Sequence, residues 1–209
     1  MADRAEIGGW PLVGWTAAAV SALGVAIVAI AGPTERAVHL GLRATADVAL
    51  VLFTLVYAAR PLHQLARSSA SRWLLRNRRY LGNCFAVTLA IHGVFIAWLL
   101  LAYSGGYDAD PVSMAVGGLA FAFVAAMSAT SSDAAHAKLG QRRWRRLHTA
   151  GLHLVWFVFT FTLVSGAVVH GATHRAALAL LPLGALGLRI AAALRSRRAR
   201  LAPAAGAGS

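Results

Sequence analysis

The side chains in this chain that could do chemistry are imidazoles and guanidiniums set inside apolar runs. His92 follows Arg79 by thirteen residues, about 20 Å along a helix, so it lies deep within its run. Cys84, Thr88 and His92 recur at i, i+4 and i+8 and share one helical stripe. A neutral imidazole in an apolar interior is a good axial ligand for haem iron. The plainer reading is a buried histidine hydrogen-bonded to a neighbouring helix. His148 lies two residues after Arg146, at the mouth of another run, and His153 lies five residues further in. Five residues rise about 7 Å and turn a helix by about 140°, so His148 and His153 cannot share a face. At most one of them points at any given pocket, or they serve different neighbours. Arg43 and Asp47, at i and i+4, are spaced to pair with each other. The sharper alternative makes Arg43 a partner for a haem propionate and Asp47 a proton carrier. Arg189, inside the last run, can snorkel toward its end or bind the same acidic group. No nucleophile paired with a base, no carboxylate pair and no His-Glu-x-x-His segment is present, so hydrolytic chemistry has no support. Histidines on apolar helices suit instead a cofactor that carries electrons, with the protein supplying ligands and electrostatics.

Such residues need an apolar scaffold, and the composition supplies one. The 209 residues are 58% hydrophobic and 13% charged, with mean hydropathy +0.63, against about 25% charged in a soluble domain. Six apolar segments have membrane-spanning length: Trp10 to Ala31, Thr45 to Leu65, Tyr80 to Tyr103, Val112 to Ala129, Leu147 to Val169 and Ala176 to Leu194. The expected fold is all-α, an integral membrane bundle of six transmembrane helices over residues 10–194. Residues 1–9 precede it, and a basic, then disordered tail over 195–209 follows. The first run lacks a strongly basic leader and reads as a retained span rather than a cleaved signal peptide. Sixteen of the twenty Lys and Arg fall in segments sharing one side, three in the loops of the other, and Arg189 within a span. Lys and Arg mark the cytoplasmic side, so both termini are expected there. The net charge of +13 is thereby read as topology and contact with anionic lipid, not nucleic-acid binding. Cys84 is the only cysteine, which excludes an internal disulfide, a CxxC pair, a CxxCH haem attachment and a four-cysteine cluster.

Two loops on the basic side have their own character. In "ARSSASRWLLRNRRY", Arg72, Arg76 and Arg79 share a helical face with Trp73 and Leu74 beside it, an interfacial amphipathic stretch. In "SSDAAHAKLGQ", Ser132 is placed to cap a short helix and Gly140 to end it. No glycine-rich nucleotide fingerprint occurs. "RRYLGNCFAVTLAIH", Arg78 to His92, resembles the third span of the ferric-reductase-like transmembrane domain family: paired basics, Leu-Gly, then an apolar run ending in His. "TSSDAAHAKLGQRRWRRLH", Thr130 to His148, resembles that family's loop between fourth and fifth spans, and "RPLHQL" is similar to the end of its second span. The resemblance covers about residues 40 to 170.

The resemblance implies a b-type haem between the third and fifth spans. Electrons would pass from the cytoplasmic side or the quinone pool to an acceptor protein at the outer, periplasmic face of a bacterial cytoplasmic membrane. His92 matches the family's third-span ligand and His148 the first fifth-span histidine, while the second fifth-span histidine is here Phe161. Three arrangements stay open: His92 paired with His153 or His148 in a shifted site, His92 alone, or a haem-free bundle. With no nucleotide-binding domain in view, the donor would be a separate flavoprotein or a quinol, so any flavin or quinone would come through a partner. Arg43, Arg189 or the Arg142–Arg146 cluster would then serve propionates or donor docking. The rival is a haem-free scaffold or a small-molecule transporter. A repeat-type transporter would have broken helices, for which Pro182 and the Gly117-Gly118 pair are the candidates.

Overall fold

The computed structural model describes residues 8–103 and 110–201. Among these, six helices are long and apolar enough to cross a membrane: α1 (Trp10–Ala31), α2 (Glu35–Leu65), α3 (Ser69–Ala102), α4 (Pro111–Ala129), α6 (Gln141–His170) and α7 (Thr173–Leu201). A short helix, α5 (Asp133–Leu139), lies between α4 and α6. Several helices outrun their apolar segments, and the reason is capping. The Thr34 side chain accepts from the Ala37 N–H, and Glu35 sits at the positive end of the helix dipole, so α2 starts ten residues before Thr45. Ser68 and Ser71 form a reciprocal capping box, so α3 starts eleven residues before Tyr80. The amphipathic stretch with Arg72, Arg76 and Arg79 is thus the first turns of α3 rather than a separate element. α7 continues through the basic segment to Leu201; residues 202–209 lie outside the described residues. Ser132 caps α5 by accepting from the Ala135 N–H, and Gly140 ends it at φ 78°.

Neither proline breaks its helix. Pro61 has no N–H, which leaves the Tyr57 carbonyl, four residues back, without its intrahelical donor. Arg189 of α7 supplies one, Nη1 to the Tyr57 oxygen at 3.3 Å. α7 runs unbroken past Pro182, whose carbonyl accepts from Trp156 Nε1 at 2.9 Å. α4 is likewise continuous through Gly117 and Gly118. The main packing is α2 along α3, with α1 on both, α7 on α2 and α6, and α4 between α3 and α6. α2 and α3 approach closely at Gly41, where an added Cβ would run into the ring of Phe95. The core of the bundle is aromatic. Phe53 of α2, Phe85 of α3 and Phe159 of α6 meet with ring centroids 5.6 to 6.3 Å apart. Tyr57, Val124 and Val155 pack around them.

Candidate functional site

His92 is half-buried in the C-terminal third of α3, on the stripe with buried Cys84 and Thr88. Its Nδ1 is 2.9 Å from Thr45 Oγ1 of α2. The Thr45 hydroxyl donates its own proton to the Gly41 carbonyl at 2.7 Å. It therefore receives the proton of His92 Nδ1–H, which leaves Nε2 as the unprotonated nitrogen of the neutral ring. The Leu42 backbone is a second hydrogen-bonding neighbour of the ring. Phe121 of α4 stacks on the imidazole, centroid to centroid 6.4 Å.

His148 occupies a different level. It sits on α6 beside the end of α4, with Nε2 3.3 Å from Thr130 Oγ1. Trp144, one turn back, stacks on it at 4.2 Å and donates from Nε1 to the Thr130 carbonyl at 3.0 Å. Phe121 and Thr130, the α4 contacts of the two histidines, are nine residues apart. Nine residues of helix rise about 13 Å, so His92 and His148 cannot ligate one metal ion through bonds of about 2 Å.

His148 lines a cavity of about 950 Å³ at the arginine-rich end of the bundle. Six arginines line it (Arg60, Arg76, Arg78, Arg79, Arg145 and Arg189) against one carboxylate, Asp133. Arg189 turns inward, its guanidinium 4.3 Å above the Tyr57 ring, rather than snorkelling along α7. Asp133 ties α5 to α3, both of its oxygens accepting from Arg79 Nη1 at 3.2 Å.

The remaining candidates are placed elsewhere. His153 is exposed on α6, its Nδ1 donating to the Thr149 carbonyl of its own helix at 2.7 Å and its ring edge-on to Tyr57. It joins neither His92 nor the cavity. Phe161 is 60% exposed and stacked on Phe157, so its ring faces out of the bundle. Arg43 and Asp47 are both exposed, and no ion pair within 4.0 Å forms between them, so the expected i, i+4 pair does not close. The sequence reading did not single out Thr45, Phe121 or Thr130. The signal for Thr45 and Thr130 was a polar side chain in or at the end of an apolar run; Phe121 carried none.

Residues 41–162 match the family described as ferric reductase like transmembrane component. Two curated relatives bear the name protein-methionine-sulfoxide reductase heme-binding subunit MsrQ. The one from Ralstonia nicotianae is 34% identical over 116 residues, 51% of this chain and 49% of the relative. The one from Polaromonas naphthalenivorans is 32% identical over 140 residues, 61% of this chain and 59% of the relative. The matched stretches thus cover about half the length of these relatives. No solved structure matches. With more than half its length matched, over four of its six membrane-length helices (α2, α3, α4 and α6), the chain belongs to the ferric reductase like transmembrane component family.

Proposed function

We propose that this chain is a haem-carrying electron-transfer subunit of a bacterial inner membrane. The observation that carries the reading is His92: a half-buried imidazole in an apolar bundle, its Nδ1 2.9 Å from a Thr45 hydroxyl that donates to the Gly41 carbonyl. That is how a neutral histidine ligand is held, with the second nitrogen fixing tautomer and ring orientation. The residues present fit a haem, with one protein imidazole at each of two levels. His92 serves the outer level. At the basic end, the cavity has room for a tetrapyrrole, and its arginines suit propionates. Of the candidate residues, Arg189 is on this cavity wall and Arg43 is not. Haem b, when bound, would supply a one-electron carrier. His92 would hold iron, Thr45 would hold His92, and the aromatic cluster of Phe53, Phe85 and Phe159 would keep water out between the levels. The two relatives are named as heme-binding subunits of a methionine sulfoxide reductase. By analogy the donor is a separate flavoprotein or quinol at the basic, cytoplasmic end, and the acceptor a protein at the outer face.

The test is the absorption spectrum of purified, haem-supplemented protein, oxidised and dithionite-reduced. A Soret band is expected, and His92→Ala should lower it at unchanged helix content. A well-folded protein with no Soret band would favour the haem-free scaffold instead.

A further inference from the structure

The end of α2 and the basic stretch of α7 meet at a second pocket, of about 350 Å³. It shares only Gln64 and Ser196 with the large cavity. Arg67, just past α2, and Arg195 of α7 bring two guanidiniums to it, beside the Gln64 amide. Leu65, Ala192 and Ala199 give it apolar walls. Arg195 donates from Nη1 to the Leu65 carbonyl at 3.2 Å, which holds the guanidinium against the end of α2 and leaves its other N–H groups unspent. Arg67 is exposed and has no hydrogen bond or ion pair among the described residues. No carboxylate among the described residues lines the pocket. The C-terminal dipole of α2 brings about half a unit of negative charge here, which two full positive charges outweigh. The site therefore favours an anion.

Its level says which anion. The apolar run of α2 ends at Leu65 and that of α7 at Leu194, so Arg67 and Arg195 stand two residues and one residue past the hydrocarbon edge. Lipid phosphates lie at that level, and basic pockets between membrane helices take lipid head groups. We propose that Arg67 and Arg195 hold the phosphate of one anionic phospholipid at the α2–α7 seam, with Gln64 bonding to its head group. Guanidinium suits this role because its planar fork meets phosphate oxygens in pairs. A zwitterionic lipid would bring an ammonium for which the pocket has no carboxylate, so the site selects phosphatidylglycerol over phosphatidylethanolamine. The proposal does not rest on haem.

In the experiment, the full chain is equilibrated in detergent micelles with equal amounts of these two lipids, and retained lipid is counted by native mass spectrometry. Wild type should keep one phosphatidylglycerol in preference to phosphatidylethanolamine. Arg67→Gln and Arg195→Gln should each lower that preference about fivefold, and two separate variants keep the result from hanging on the folding of one. Lys138→Gln removes a charge from α5, outside the pocket, and should behave as wild type. Equal retention of the two lipids by wild type overturns the site, as does a wild-type preference in both arginine variants. A loss in Lys138→Gln as large as theirs would mean a diffuse basic field and no site. Release of the lipid by millimolar inorganic phosphate would give the pocket to a soluble anion and overturn the lipid assignment.

Discussion

At the scale of single residues, the chemistry turns on which nitrogen of each histidine is committed. Thr45 Oγ1 gives its proton to the Gly41 carbonyl and takes that of His92 Nδ1. At the other level the committed atom is His148 Nε2, against Thr130 Oγ1, whose proton goes to the Ala126 carbonyl at 2.7 Å. The hydroxyl contacts thus fall on opposite nitrogens, Nδ1 of His92 and Nε2 of His148. Thr45→Val keeps the volume of a fully buried residue and removes the hydroxyl. The expected result is haem affinity lowered about tenfold or more, with the helix content of wild type. Thr45→Ser restores the hydroxyl and should restore the affinity. Equal haem binding by Thr45→Val and wild type would mean that Thr45 does not orient the ligand.

At the scale of elements, that hydrogen bond depends on how closely α2 and α3 pack. Gly41 lies one turn from Thr45, and Phe95 lies three residues past His92; the two meet where a Cβ on residue 41 would clash with the ring. Gly41→Leu should force the helices apart and cost about 1–3 kcal/mol, read as a lower thermal midpoint in detergent. It should also lower haem loading, because the wedge acts one turn from the His92–Thr45 contact. An unchanged midpoint would show that α3 can retreat from α2 without loss. The elements themselves were legible in the sequence, since an uninterrupted apolar run of spanning length has few other uses. Their ends were less so: Thr34 and Ser68 start helices ten and eleven residues before the apolar runs do. His92 stood out because an ionisable side chain is rare at that depth. Its partner did not, being 47 residues away on another helix. Nor could the sequence tell that Phe161 faces outward, or that His153 lies beside Tyr57 on an exposed face. In lipid both faces of a helix are apolar, so the alternation that reveals the inside of a soluble helix is missing.

At the scale of the whole molecule, the two histidine levels give the bundle a direction. The basic end has the arginine-lined cavity with His148, and the other level holds His92 about 13 Å further along α4. Between them lies a cluster of aromatic rings. If the arginine-rich end is cytoplasmic, a cytoplasmic donor meets the cavity first and His92 is the station nearer the outer face. If it is not, the order of the stations reverses and the outer acceptor would meet the cavity. The orientation can be read from one helix. Ser196 and Thr173 sit near opposite ends of α7, 23 residues apart, about 35 Å, enough to cross a hydrocarbon core of about 30 Å. Both are exposed, whereas Cys84 is buried and provides a quiet background. In intact spheroplasts, a membrane-impermeant maleimide should label Thr173→Cys and leave Ser196→Cys untouched until the membrane is opened. The reverse pattern would put the arginines outside and turn the proposed electron path around.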